Sequence, residues 1–174
     1  MATITVNTTG SQPHIYLTTN TDTGNLYTGA LSGTWVSTED ALDVTCLQDI
    51  TVNNSTAIFS WVDFCSTDMQ KVTTPADNSI STNIVIDPTG FFGNVAGAGA
   101  ELAGVNGLSS TKTYVQWVLV MNGDLVTPTV GAYWYRGVGY ITSISPTVSP
   151  DSPVWVSPME IAVSGDLTTG TVAS

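Results

Sequence analysis

The sequence predicts an all-β fold: a β-sandwich or barrel-like domain with one short flanking helix. Three observations predict it. Apolar and polar residues alternate in short runs, the period of a strand with one buried face. Val and Thr recur along the whole chain, and both are β-branched residues that favour strands. Sixteen Gly and eight Pro punctuate those runs at turn-like intervals. The 174 residues suit one domain, 1–174, with residues 1–41 read as an extended N-terminal arm or short strands.

The elements follow in order. Ala2 to Val6 alternates as a short strand, and His14-Ile-Tyr-Leu-Thr and Leu26-Tyr-Thr-Gly carry the same mark within a Thr-, Asn- and Gly-rich stretch. Leu42 to Val52 reads as a strand, Asn53-Asn54-Ser55 as a turn, and Ala57 to Phe64 as the hairpin partner. Cys65 to Asn78 reads as a polar loop and Ser79 to Asp87 as a strand ended by Pro88-Thr-Gly. Phe91 to Gly107 is the predicted helix, although each Gly within it costs about 1 kcal/mol against Ala. Thr113 to Asn122 and Val130 to Ser145 are strands, the second with Gly137 and Gly139 as bulge positions. Pro146 to Pro158 is a connecting loop, and Met159 to Thr168 is the last strand. On that strand Met159, Ile161, Val163 and Leu167 are predicted to face the core, with Glu160, Ala162, Ser164 and Asp166 on the opposite side.

Charge excludes some functions. Fourteen acids against Lys71, Lys112 and Arg136 give a net charge of −11, with only 10% of residues charged. Three cations cannot form the basic footprint that grips phosphates. Met1 to Val6 carries neither positive charge nor an apolar core, so no secretory signal is expected. Without that signal Cys46 and Cys65 are expected to be reduced and at least partly buried.

Catalytic motifs are thin. Asp22-Thr-Gly has the short aspartic-protease pattern, but polar Thr19-Asn20-Thr21 precedes it and a turn explains it. Gly97-Ala-Gly-Ala-Glu-Leu-Ala-Gly104 has the wrong spacing for a dinucleotide loop and no βαβ context. His14 is the sole histidine, and Pro13 and the surrounding Thr and Gly predict a surface position. No catalytic residue, cofactor or metal ligand is therefore assigned, and no enzyme activity is expected. Tyr133-Trp-Tyr135 with Trp61, Trp117 and Trp155 reads as inter-sheet packing, with a sugar-stacking platform as the alternative.

The order of segments resembles the major tail tube proteins of tailed bacteriophages. Leu47-Gln-Asp-Ile-Thr-Val-Asn-Asn-Ser is similar to their early strand and turn. Trp61-Val-Asp-Phe-Cys-Ser and Ser79-Ile-Ser-Thr-Asn-Ile-Val-Ile-Asp are similar to the next hairpin and strand. Tyr135-Arg-Gly-Val-Gly-Tyr-Ile-Thr-Ser-Ile-Ser, then Pro150-Asp-Ser-Pro, then Val163-Ser-Gly-Asp-Leu-Thr resemble the closing part, so the likeness spans residues 42–168. It implies a sandwich whose subunits close into hexameric rings and stack as a hollow tube, each lending strands to an inter-subunit β-barrel. About 24 strands at ~4.8 Å spacing and ~40° tilt would give a bore roughly 50 Å across at the backbone. The implied setting is the virion tail, assembled in the host cytoplasm. The implied partners are other tail proteins: tape measure, tail tip or baseplate, terminator and, where the tail contracts, a sheath. DNA would pass through without specific binding, along a wall carrying Glu160, Ser164 and Asp166. A carbohydrate-binding or adhesin sandwich and a capsid decoration protein are the alternatives.

Thiol counting on denatured, non-reduced protein should find both cysteines free; finding neither would establish a disulfide.

Overall fold

A computed structural model of the chain describes residues 12–19, 41–44, 46–62, 69–74, 77–123, 129–148, 154–165 and 167–172. The expected strand Ala2–Val6 and the Leu26 segment, together with Asp22, Cys65 and Asp166, lie outside them. The fold is all-β. The strands are β1 His14–Thr18, β2 Leu42–Val44, β3 Leu47–Asn53, β4 Ala57–Val62, β5 Met69–Thr74, β6 Asn78–Val85, β7 Tyr114–Val120, β8 Tyr133–Ile144, β9 Val156–Val163 and β10 Thr168–Thr171. Two helices, α1 Pro88–Phe92 and α2 Gly99–Ser110, lie between β6 and β7.

Eight strands form one antiparallel sheet in the order β2-β1-β7-β8-β9-β6-β3, with β10 also paired to β8. β4 and β5 form a separate two-stranded sheet. The ladder does not close into a barrel among the described residues. Its two outer strands are nevertheless consecutive: β2 ends at Val44 and β3 begins at Leu47. Three chain steps span at most about 11 Å, so the sheet must curl until its edges are neighbours. Cys46 makes the corner in a left-handed conformation, φ 60°. Its carbonyl accepts from the Val85 N–H at 3.2 Å.

The curl gives the sheet an inside. Ile15, Leu17, Leu42, Ile80, Ile84, Trp117, Leu119, Ile141, Met159 and Ile161 are buried there in one cluster. Burying each large side chain contributes roughly 1.5–3 kcal/mol, which holds the strands that carry them in register. The helices add Phe91, Ala100, Val105 and Leu108 to the same cluster, with α2 packed against β8, β1 and β2. A second cluster, Tyr16, Val118, Val120, Ala132, Trp134 and Val172, lies on the opposite face of β1, β7 and β8. Strand alternation requires this, since each of Tyr16, Val118 and Trp134 sits between residues that point the other way.

Several expectations are corrected. The long strand Leu42–Val52 is two strands pairing at opposite edges: β2 with β1, and β3 with β6. Ala57–Val62 therefore does not pair with it. Its partner is Met69–Thr74, which replaces much of the expected loop Cys65–Asn78. In the sequence the Asn-Asn-Ser turn signal outweighs the weaker alternation in Met69-Gln-Lys-Val-Thr-Thr. Gly137 and Gly139 do not mark the bulge in β8, which lies between Ile141 and Ser143 against β9. They are close-approach positions. A Cβ on Gly137 would meet the Trp117 indole, and one on Gly139 would meet the Ala162 carbonyl oxygen.

The last predicted strand is also interrupted. β9 ends at Val163, and Gly165 turns the chain with φ 87°. β10 then resumes along the same edge of β8. The ladder passes from Gly139↔Val163 to Arg136↔Thr168, five chain steps against three. The glycine-rich helix Phe91–Gly107 resolves into α1 and α2, and α2 is broken at Gly104, with φ 65° and ψ 172°. There the two helices touch by backbone, since a Cβ on Gly104 would fall within contact of Gly93 N and the Phe91 carbonyl oxygen. Gly104→Ala should lose more than about 1 kcal/mol of folding free energy in denaturant titration, because it combines positive φ with a backbone clash. An unchanged midpoint would contradict this packing.

Candidate assembly surface

Two surfaces stand apart from the core. The first is the β4–β5 hairpin, which leaves the main sheet after Asn53 and returns at Asn78. Its root is tied down. The Ser55 N–H donates to the Asn78 side-chain oxygen at 3.0 Å, and the Ser55 hydroxyl donates to the Asp77 carbonyl at 3.1 Å. Beyond the root its side chains reach outward. Ile58, Phe59, Trp61, Met69 and Val72 are large hydrophobic residues, each 42–60% exposed. Phe59 pairs with Val72 and Trp61 with Gln70, placing the three apolar side chains on one face. The Phe59 and Trp61 rings stack at 5.9 Å. Ile58 and Lys71 occupy the other face. A lone two-stranded hairpin is marginal in water, and an apolar group of this kind is the usual mark of a contact surface.

The second surface is the outer face of β8, β9, β6 and β3. Strand pairing aligns Ser143, Glu160, Ser81 and Thr51 across the four strands. Asn83 and Asp49 lie beside them and line the same shallow depression. The Asp49 carboxylate accepts from the Asn83 backbone N–H at 2.9 Å and from its side-chain amide at 3.0 Å. This face is a hydroxyl and amide wall carrying carboxylates, without a described lysine or arginine among its lining residues.

The residues singled out from the sequence fall as follows. Met159 and Ile161 are fully buried, and Val163 and Leu167 are partly buried against the same cluster. Glu160 and Ser164 are exposed, and Ala162 is half-buried. Ser164 lies past the end of β9, with its N–H donating to the Val138 carbonyl at 2.7 Å. Leu167 belongs to the link between β9 and β10 rather than to a continuous strand. Cys46 is exposed, because the corner turns its side chain away from the core that its neighbours fill; the expectation of burial is corrected.

His14 is also not simply a surface residue. Its side chain is 24% exposed, its Nδ1 lies 3.1 Å from an Asp43 carboxylate oxygen, and its ring stacks on Tyr16 at 5.9 Å. An ionised carboxylate only accepts, so this bond requires the proton on Nδ1. The pair fastens edge strand β2 to β1. The aromatic triplet of β8 does not form one platform. Tyr133 is exposed and Tyr135 packs against the main cluster, while alternation sends Trp134 into the second cluster on the other face. Of the other tryptophans, Trp117 is core, whereas Trp61 and Trp155 are exposed. Sequence reading misses the hairpin surface, whose one available signal is the alternation of Phe59-x-Trp61; Met69 and Val72, three apart, fall on opposite faces.

No protein-family model matches the chain, and no curated protein matches it. Among solved structures it is similar to the tube-terminating cap of the anti-feeding prophage, determined by electron cryomicroscopy. The superposition covers 91% of this chain and 88% of that chain, with a TM-score of 0.50 at 11% identity. What the two chains have in common is the fold.

Proposed function

We propose that this chain is a non-enzymatic structural subunit of a phage-tail-like tube, which associates with copies of itself into stacked hexameric rings around a channel. The observation that carries this reading is the pairing of an exposed apolar hairpin with a polar, carboxylate-bearing sheet face in one fold. The hairpin is a surface built to be covered. The sheet face is suited to remain wet. The fold shared with a tube-terminating cap supports the same setting, and it favours a second reading in which the chain closes the end of a tube rather than filling its length. Ring closure would also cover the open edges of the sheet. In either position Glu160 would line the channel, with Ser164 and Asp166 near it, and the wall would repel DNA phosphates at short range, within the ~8 Å over which salt leaves charge effective.

Replacing Phe59, Trp61 and Val72 together with Ser should abolish rings and tubes in negative-stain images and shift sedimentation to monomer. The folding free energy should change little, by about 0.5 kcal/mol per site, since these side chains are exposed. Rings that persist in the triple variant would remove the hairpin from the interface, and a folded wild-type chain that is monomeric at high concentration would defeat the assembly reading. A separate test concerns the wall. Glu160→Lys should assemble normally, yet its particles should retain duplex DNA at low salt and release it at high salt. Particles that stay indifferent to DNA would refute the channel-wall role.

A further inference from the structure

Among the described residues Arg136 is a cation without a counter-ion. It lies in the middle of the sheet, on β8 between β7 and β10, with Val118 and Thr168 as its cross-strand neighbours. Its guanidinium carbon sits 5.5 Å from the centre of the Trp134 ring. Trp134 belongs to the second buried cluster. Partial burial lowers the pKa of Arg136, although a guanidinium remains charged. Among the described residues the one ion pair shown is His14 with Asp43, so no described carboxylate offsets this desolvation. A charge taken partly out of water without a partner is unfavourable, and a carboxylate in the guanidinium fork is its best complement.

The described acids are mostly occupied. Asp43 meets His14, Asp49 meets Asn83, Asp87 caps α1 through Gly90 N–H, and Glu101 accepts from the Asn94 amide. Asp77 and Glu160 are different: neither carboxylate has a hydrogen-bond or ion-pair partner among the described residues. Glu160 lies within the polar wall. Asp77 lies at the hairpin root, where its backbone is held by Ser55 while its side chain stays exposed. Its backbone is thus held at the root of the apolar hairpin while its carboxylate is free to meet solvent.

We propose that Arg136 receives a carboxylate from a second copy of this chain, and that Asp77 is that carboxylate. The inference rests on the assembly reading and deepens it, by adding a polar pair that sets orientation to the apolar contact of the hairpin. Charge complementarity selects a copy of the chain as the occupant. Any neighbouring copy presents carboxylates in excess, with 14 acids against three cations. Nucleic acid is disfavoured, because the same sheet face carries Asp49 and Glu160. In a head-to-tail arrangement, as the proposed rings require, each copy would offer Asp77 to one neighbour and Arg136 to the next. Heterologous contacts generate rings where the rotation closes.

The test is sedimentation and negative-stain imaging of the full chain. Asp77→Asn and Arg136→Gln, with folding checked by circular dichroism, should each weaken association by roughly 30-fold, the scale for truncating one partner of an interfacial charge pair. Asp77→Arg and Arg136→Glu should each abolish it, and the two reversals combined should restore it. Restoration establishes the pair. Wild-type association in Asp77→Asn, or no rescue in a folded double reversal, overturns it. If Arg136→Gln assembles normally but loses affinity for a short DNA duplex, the guanidinium is a phosphate site and the proposal fails. A wild-type chain that never associates would overturn both readings; a wild-type chain that assembles beside an equally competent Asp77→Asn variant would overturn this one alone.

Discussion

The architecture depends on the step between β2 and β3. These strands stand at opposite edges of the main sheet, yet Val44 and Leu47 are separated only by residues 45–46. A flat sheet of this width would hold its edges tens of ångströms apart at ~4.8 Å per strand. The covalent link forbids that, so the sheet rolls. Cys46 supplies the left-handed corner and hands its carbonyl to Val85, which anchors the corner on β6. Once rolled, the sheet has a concave side able to exclude water, and residues from both edges meet there. Leu42 and Val44 from one edge join Ile80 and Ile84 from the strand beside the other. The two helices plug the same space through Phe91, Val105 and Leu108. Their close backbone contact at Gly93 and Gly104 leaves no room for side chains between them.

Rolling also decides what is left outside. A strand buries alternate residues, so a curled sheet with one main core must present its other residues outward. On β1, β7 and the start of β8 those residues are Tyr16, Val118, Val120 and Trp134, and they are buried in a second cluster. On β9, β6 and β3 they are Glu160, Ser81, Asn83, Thr51 and Asp49, and they form the polar wall. One sheet face thus changes from apolar to polar along its width. Arg136 belongs to the β8 segment beside the apolar part, which is why its charge is partly desolvated.

The hairpin is the exception to this economy. None of its described side chains belongs to either buried cluster, yet it carries Phe59, Trp61 and Val72 on a common face. Exposing such residues costs solubility without stabilising the monomer, which is the physical reason to connect the hairpin with assembly. The net charge of −11 opposes that cost by keeping free chains apart. Under the proposed assembly, attraction between copies would have to be short-ranged, from apolar contact and from the few cations.

Composition and period by themselves determined the fold class, the absence of a basic nucleic-acid footprint and the positions of most strands. Those signals are local: β-branched content, alternation and turn residues act within a few positions of each other. The burial of Met159 and Ile161 and the exposure of Glu160 belong to this class, because a period of two leaves no other arrangement once one face meets the core. Pairing was not legible. Leu42–Val52 reads as one strand because its apolar pattern continues through the corner, and only the curled sheet separates its halves to opposite edges. Ala57–Val62 could have joined either neighbour in sequence, and it pairs with Met69–Thr74 while β3 pairs with β6 through one edge. His14 meeting Asp43, Trp117 lying over Gly137 and Arg136 stacking on Trp134 are likewise tertiary facts. Each depends on which strands lie side by side, and that is settled by burial of the whole core rather than by any residue's immediate neighbours.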